Sequence, residues 1–90
     1  MYQIRVTSRF KKDLKAAQKR GYDLSLLRSV ITQLSRGETL SPKYRDHALT
    51  GDWADFRECH ILPDWLLIYR IEKDILVLTL VRSGTHSDLV

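Results

Sequence analysis

The pattern of apolar residues predicts an α+β fold of order β-α-α-β-β-β, a mostly antiparallel sheet with a helical hairpin packed on one face. Three observations carry this expectation. The chain opens on a segment that alternates apolar and polar residues, continues through two segments of helical period, and closes on stretches rich in Ile, Leu and Val.

Tyr2, Ile4 and Val6 alternate with Gln3, Arg5 and Thr7, the period-two signature of a first strand with one covered face. Ser8 is an N-cap for the helix that follows, in which Phe10, Leu14 and Ala17 form the inner stripe and Gly21 the stop. Asp23 caps a second helix with Leu27, Val30, Ile31 and Leu34 facing inward, and Gly37 ends it. The link Gly21-Tyr22-Asp23 is short enough to require an antiparallel pair. Residues 37–53 have no period and read as a long loop or a short strand between loops, the kind of segment that carries function. A one-sided strand is expected from Trp53 to Ile61, and Leu62-Pro63-Asp64 is a turn signal. Trp65 to Ile71 and Ile75 to Val81 then read as the two buried strands of a hairpin.

Ninety residues suit one small domain. No apolar run approaches the length of a membrane span and the N-terminus lacks a signal-peptide core, so a soluble cytoplasmic protein is expected. The single Cys59 excludes an internal disulfide and reads as buried filler. Charge is uneven. Residues 1–36 hold nine Lys/Arg against Asp13 and Asp23, a net +7, whereas residues 37–90 hold six basic and nine acidic groups, a net −3. Lys11, Lys12, Lys15, Lys19 and Arg20 give the first helix a basic outer face suited to a polyanion or an acidic partner, although a merely solvated face has the same composition.

The chemistry-bearing residues lie in the other half. His47 follows Arg45-Asp46, His60 precedes a turn with Asp64 beyond its proline, and His86 follows the last strand. Imidazole exchanges protons near neutral pH, and loops and element ends are where such groups are displayed. The spacings match no compact metal-ligand motif, so no metal or other cofactor is expected. A Cys59–His60 nucleophile is disfavoured because adjacent strand side chains face opposite ways. Structural histidines bonded to nearby backbone remain an open alternative. If the substrate is RNA, cleavage without metal needs a base for the 2′-hydroxyl, an acid for the leaving 5′-oxygen and cations beside the phosphorus. The three histidines, Asp64, Arg57 and Arg82 supply those types, and an exposed aromatic such as Trp65 could stack a base. In a regular strand Arg57 and His60 have opposite parity, so a bulge is needed for both to meet one phosphate.

Across most of its length the chain resembles the YafQ branch of the RelE/ParE superfamily of bacterial type II toxins. The resemblance rests on Phe10-Lys11-Lys12-Asp13, Ala17-Gln18-Lys19-Arg20, Asp46-His47-x-Leu49-x-Gly51, Arg57-x-x-His60-x-x-Pro63-Asp64-Trp65-x-Leu67-Ile68-Tyr69 and Arg82-x-Gly84-Thr85-His86. It implies a single RelE-like toxin domain over residues 1–90 that cleaves messenger RNA in the ribosomal A site, touches ribosomal RNA, and is silenced by a cognate antitoxin protein. By the same resemblance His86 is the principal acid/base residue, His47, His60 and Asp64 complete the site and position the RNA, and Trp65 belongs to the same pocket. The relatives place an aromatic four residues after the terminal histidine, where this chain has Val90. A valine cannot stack on a base, so either Trp65 or Phe56 takes that role or the substrate is held more weakly here. Two other readings stand beside this one: a non-catalytic basic module that binds RNA or the antitoxin, and a structural part of a repressing toxin–antitoxin complex.

Overall fold

Alternation at the N-terminus forms β1 (Gln3–Val6), followed by α1 (Ser8–Lys19), α2 (Leu24–Ser35), β2 (His47–Ala48), β3 (Arg57–Leu62), β4 (Trp65–Glu72), β5 (Val77–Gly84) and a last helical turn, α3 (His86–Leu89). The computed structural model describes residues 1–75 and 77–89, with His86 described in its backbone only. The expectation attached to Val90 lies outside the described residues. The five strands form one sheet of order β1-β5-β4-β3-β2, in which β1 runs parallel to β5 and every other neighbour is antiparallel. This is the α+β architecture anticipated, with β2 as the short strand within residues 37–53 and α3 added to it.

The helices begin and end where local chemistry can satisfy their free backbone groups. Thr7, not Ser8, caps α1: its hydroxyl accepts from the Phe10 amide at 3.0 Å, and Ser8 is already the first helical residue. The same hydroxyl donates to the Val81 carbonyl at 2.6 Å, so this cap also ties the helix to β5. Asp23 caps α2 as expected, accepting from the Ser25 amide at 3.0 Å. Gly21 and Gly37 follow the two helices with φ of 80° and 76°, left-handed values that favour a residue without a Cβ.

Both helices cover one face of the sheet. Phe10 and Ala17 from α1 and Leu27, Val30 and Leu34 from α2 meet Cys59, Ile61, Trp65, Leu67, Tyr69, Leu78 and Leu80 in a continuous core. The first strand departs from expectation, because Ile4 and Val6 remain 46% and 42% exposed. They sit on the sheet edge, whereas α1 packs on β5 and α2 reaches β3, so the helices cover the central strands and not the border. The segment expected as a strand from Trp53 instead begins with a 3-10 turn over Gly51–Trp53, and the strand starts at Arg57. Among the described residues no helix is long and apolar enough to cross a membrane.

Candidate active site on the open sheet face

Strand alternation sorts the second half of the chain onto two faces. Cys59 and Ile61 point toward the helices, so Glu58 and His60 point away from them. Register then builds two rows on the open face. One runs His47–Glu58–Ile68 across β2, β3 and β4, with the backbone of Arg82 next in register on β5 and its side chain turned to α1, and the next runs His60–Leu66–Gly84 across β3, β4 and β5. Neighbouring strands lie about 4.8 Å apart, so Gly84 stands roughly 10 Å from His60. The backbone of His86 opens α3 two residues beyond that glycine.

Two bulges frame the rows. Between the pairs His60–Leu66 and Leu62–Trp65 the third strand carries one extra residue, Ile61, and between Ile68–Arg82 and Tyr69–Leu80 the fifth carries Val81. Each inserts a residue without a partner and re-aims the chain beyond it, which is how sheets commonly present groups beside a site.

The two described imidazoles are held in the same way. His47 Nδ1–H donates to the Arg45 carbonyl at 2.7 Å and His60 Nδ1–H donates to the Pro63 carbonyl at 3.2 Å. A carbonyl can only accept, so in each neutral ring the proton resides on Nδ1 and Nε2 carries the lone pair. The ring centroids are 6.4 Å apart, and the His47 Nε2 lies 3.6 Å from Glu58 Oε1, a carboxylate placed to stabilise that ring once it is protonated. Arg45, whose carbonyl orients His47, is the one non-glycine residue with positive φ among those described, at 49°. Strain of this kind is held by surrounding structure and clusters at functional positions. Asp64 follows Pro63 on the exposed turn between β3 and β4. Such a face can give and take protons at neighbouring Nε2 atoms. Among the described residues no group of three His, Cys, Asp or Glu side chains is placed to hold a metal ion.

Other expected site residues are placed differently. Pairing is unbroken from Arg57 to His60, so no bulge reconciles their parity, and they face opposite sides of the sheet. Arg57 instead meets the Asp46 carboxylate at 3.3 and 3.4 Å beside Tyr69. Arg82 does not stand open to a phosphate, because its guanidinium forms a two-pronged pair with Asp13 of α1 at 3.2 and 3.1 Å. Trp65 is no exposed platform: it is 1% exposed and stacked on Tyr22 with ring centroids 4.7 Å apart. Its core-facing position places it under the site and not at the surface. Lys11, Lys12, Lys15 and Lys19 are exposed as the helical period requires, while Arg20 is exposed yet paired with Asp88 at 2.7 Å.

Several contributors escaped the sequence reading. Glu58 is legible only through the register that brings it beside His47. Trp53, 38% exposed, borders a cavity of about 330 Å³ on the open face together with Leu49, Thr50, Glu58, Leu66, Ile68 and Leu89. It meets Phe56 edge-on at 5.2 Å, and Arg70 lies 5.9 Å over the Phe56 ring. The only sequence signal for Trp53 was an aromatic in a loop that ends next to a strand. Cys59 is fully buried, and burial pushes its thiol up to about 12, which removes it as a nucleophile.

Comparison with known proteins agrees with this architecture. A family model described as the bacterial toxin of the type II toxin–antitoxin system, YafQ, matches residues 2–90. The mRNA interferase toxin YafQ of Escherichia coli K12 is 38% identical over 87 residues, which cover 96% of this chain and 92% of that protein. Among solved structures, a metal-bound toxin from Helicobacter pylori superposes with a TM-score of 0.94 at 49% identity, covering 100% of both chains. YafQ in the DinJ–YafQ complex of E. coli superposes with a TM-score of 0.90 at 37% identity, covering 99% of this chain and 98% of that one. With the family model matched over nearly the whole chain and relatives of this identity covering it end to end, the protein belongs to the YafQ family of type II toxin–antitoxin toxins, within the RelE/ParE superfamily.

Proposed function

We propose that this toxin is an endoribonuclease that cleaves messenger RNA in the ribosomal A site by metal-independent proton transfer, and that a cognate antitoxin protein silences it. The observation that carries the proposal is the pair His47 and His60, 6.4 Å apart on one open face with both Nδ1 protons committed to backbone carbonyls. The E. coli relative is an mRNA interferase, and the E. coli complex pairs YafQ with DinJ, which supports the substrate and the kind of partner. Ribosome-bound message places the action in the cytoplasm.

The chemistry follows from the reaction's demands. A base takes the proton of the 2′-hydroxyl, whose oxygen attacks phosphorus, and an acid protonates the departing 5′-oxygen, leaving a cyclic phosphate and a free 5′-hydroxyl. His86 is the principal acid/base group. His47 and His60 exchange protons at Nε2 and, with Asp64, orient the RNA, while Glu58 supports the protonated form of His47. Arg57 and Arg82 serve the scaffold through their carboxylate partners. Trp53 takes the base-stacking role, since it is the exposed aromatic bordering the open-face cavity. Lys11, Lys12, Lys15 and Lys19 hold ribosomal RNA through salt-sensitive phosphate contacts. The exposed basic face of α1 equally favours a module that binds RNA or the antitoxin without cutting, which would leave no cleaved ends.

His86→Ala tests the reading. Cleavage of ribosome-bound message and growth arrest are expected to vanish while circular dichroism and Tm stay unchanged; full retained cleavage sinks the assignment. Assays with a strong chelator address the metal, and cleavage that disappears with it overturns the metal-independent part.

A further inference from the structure

Three contacts run in order along α1 and onto the segment that ends the chain. At the start of the helix the Thr7 hydroxyl donates to the Val81 carbonyl at 2.6 Å. Six residues on, Asp13 receives both prongs of Arg82 and also the Ser83 amide at 2.9 Å, with the two side chains only 12% and 18% exposed. Two turns further, Arg20 donates to both oxygens of Asp88, at 2.7 and 3.2 Å. Asp88 is held again from its own side: Oδ2 accepts from the Thr85 amide at 3.0 Å, and the Asp88 amide donates to the Thr85 hydroxyl at 3.3 Å. That reciprocal pattern is a capping box around the first residues of α3. Arg20 together with the Thr85 amide holds the Asp88 carboxyl well below the usual carboxylate range.

Gly84 leaves room for the arrangement. A Cβ built there would lie 3.0 Å from both Cβ and Oδ2 of Asp88, tight enough that Asp88 must give by a few tenths of an ångström to admit an alanine. The chain between these contacts is Gly84-Thr85-His86-Ser87-Asp88, and it contains the residue assigned the chemistry. A four-residue helix has no stability of its own, because the nucleation cost is not recovered over one turn. Its position must come from outside: α3 lies on β5, with Leu89 beside Leu66 and Ile68 at the open-face cavity, and Arg20 at the end of α1 adds a charged tie to Asp88.

We propose that Asp13 and Arg20 are positioning residues, a clasp along α1 that sets the strand end and terminal helical turn bearing His86 against the histidine rows of β2 and β3. The proposal rests on the assignment of His86 above. It also gives Arg20 a different role from its lysine neighbours on the same helix. The lysines face outward for a polyanion, whereas Arg20 is turned along the helix to a carboxylate of its own chain.

Arg20→Met and Gly84→Ala, made in the full toxin, attack the clasp from opposite sides. Only the first removes a charge that RNA could feel. For both, amide hydrogen exchange at Asp88 and Leu89, whose N–H groups donate to the Thr85 carbonyl, is expected to accelerate about tenfold while exchange in β4 stays unchanged. Cleavage of ribosome-bound message is expected to lose about 10- to 100-fold in kcat with KM unchanged, as misplacement of a reacting group does. Arg20→Lys restores part of both effects. Unchanged exchange in the two variants overturns the clasp. A raised KM for Arg20→Met with Gly84→Ala silent overturns it too, by making Arg20 an RNA contact. Loosened exchange with full cleavage supports the clasp as structure and instead strikes at the assignment of His86.

Discussion

The hydroxyl of Tyr69, on the helix-covered face of the sheet, donates to the carboxylate of Asp46, the residue directly before His47. Arg57 reaches the same carboxylate from β3. The loop that presents His47 on the open face is therefore anchored through the sheet's other face, and alternation at two consecutive residues makes that possible. Burial, followed by the Asp46 carboxylate, pushes the Tyr69 phenol far above its ordinary value, so it acts as a donor throughout the working range of pH.

Tyr69→Phe removes one of these anchors and leaves the other. A lost hydrogen bond to a charged group is expected to cost about 2 kcal/mol, seen as a Tm lower by roughly 10 °C in thermal unfolding. Arg57→Ala is expected to lower Tm as well, with KM for ribosome-bound message unchanged. A KM raised tenfold with Tm intact would return Arg57 to the substrate.

Of the two tryptophans Trp53 is the exposed one and Trp65 is buried in the core. Trp53→Ala is expected to cost about 1 kcal/mol of stability through the lost edge-on contact with Phe56, while weakening RNA binding by about 1–3 kcal/mol of lost stacking. Titration of ribosome-bound message beside a urea melt separates the two quantities.

Trp65→Ala should behave in the opposite way, destabilising by about 3–5 kcal/mol as a large core side chain is removed. Trp65→Phe is the informative companion. Trp65 Nε1 is the one buried side-chain polar atom without a hydrogen-bond partner among the described residues, so exchanging indole for phenyl removes an unsatisfied donor and offsets part of the cavity cost. A urea midpoint well above that of Trp65→Ala, with Tyr22 still stacked, is the expected result.

Alkali should weaken the fold before it harms any exposed group. Cys59 rises from its usual 9.0 to about 12 through burial, and Tyr69 rises from 10.0 for the same reason. Both ionise more easily in the unfolded chain, so the Cys59 contribution is complete below pH 9 and that of Tyr69 below pH 10, and each declines above that point, as pH climbs toward 12, by about 1.4 kcal/mol per pH unit. Denaturant midpoints measured from pH 7 to 11 should fall above 9, and Cys59→Ser should flatten part of that fall. In the native toxin at pH 8 the thiol is expected to resist a soluble disulfide reagent that titrates it fully in urea.

Local physics determined much of this protein from the sequence alone. Period 3.6 and the Asp23 cap located both helices, the turn signal at Pro63 located the corner between β3 and β4, and the apolar runs after it located the hairpin of β4 and β5, because short-range sterics and capping depend on residues a few positions apart. The same local reasoning marked His47, His60 and Asp64 and required Arg57 and His60 to face opposite ways, as unbroken pairing between them now shows. Only the tertiary structure decided which groups meet. Glu58 reaches His47 by register between strands, Arg82 finds Asp13 across 69 positions and Arg20 finds Asp88 across 68. Nothing near an arginine in sequence tells whether a carboxylate waits for it on another element. Burial is likewise a property of the whole: Trp65 reads as a candidate surface aromatic until α1 and α2 close over its face of the sheet, and Ile4 and Val6 read as covered until those helices stop short of the edge.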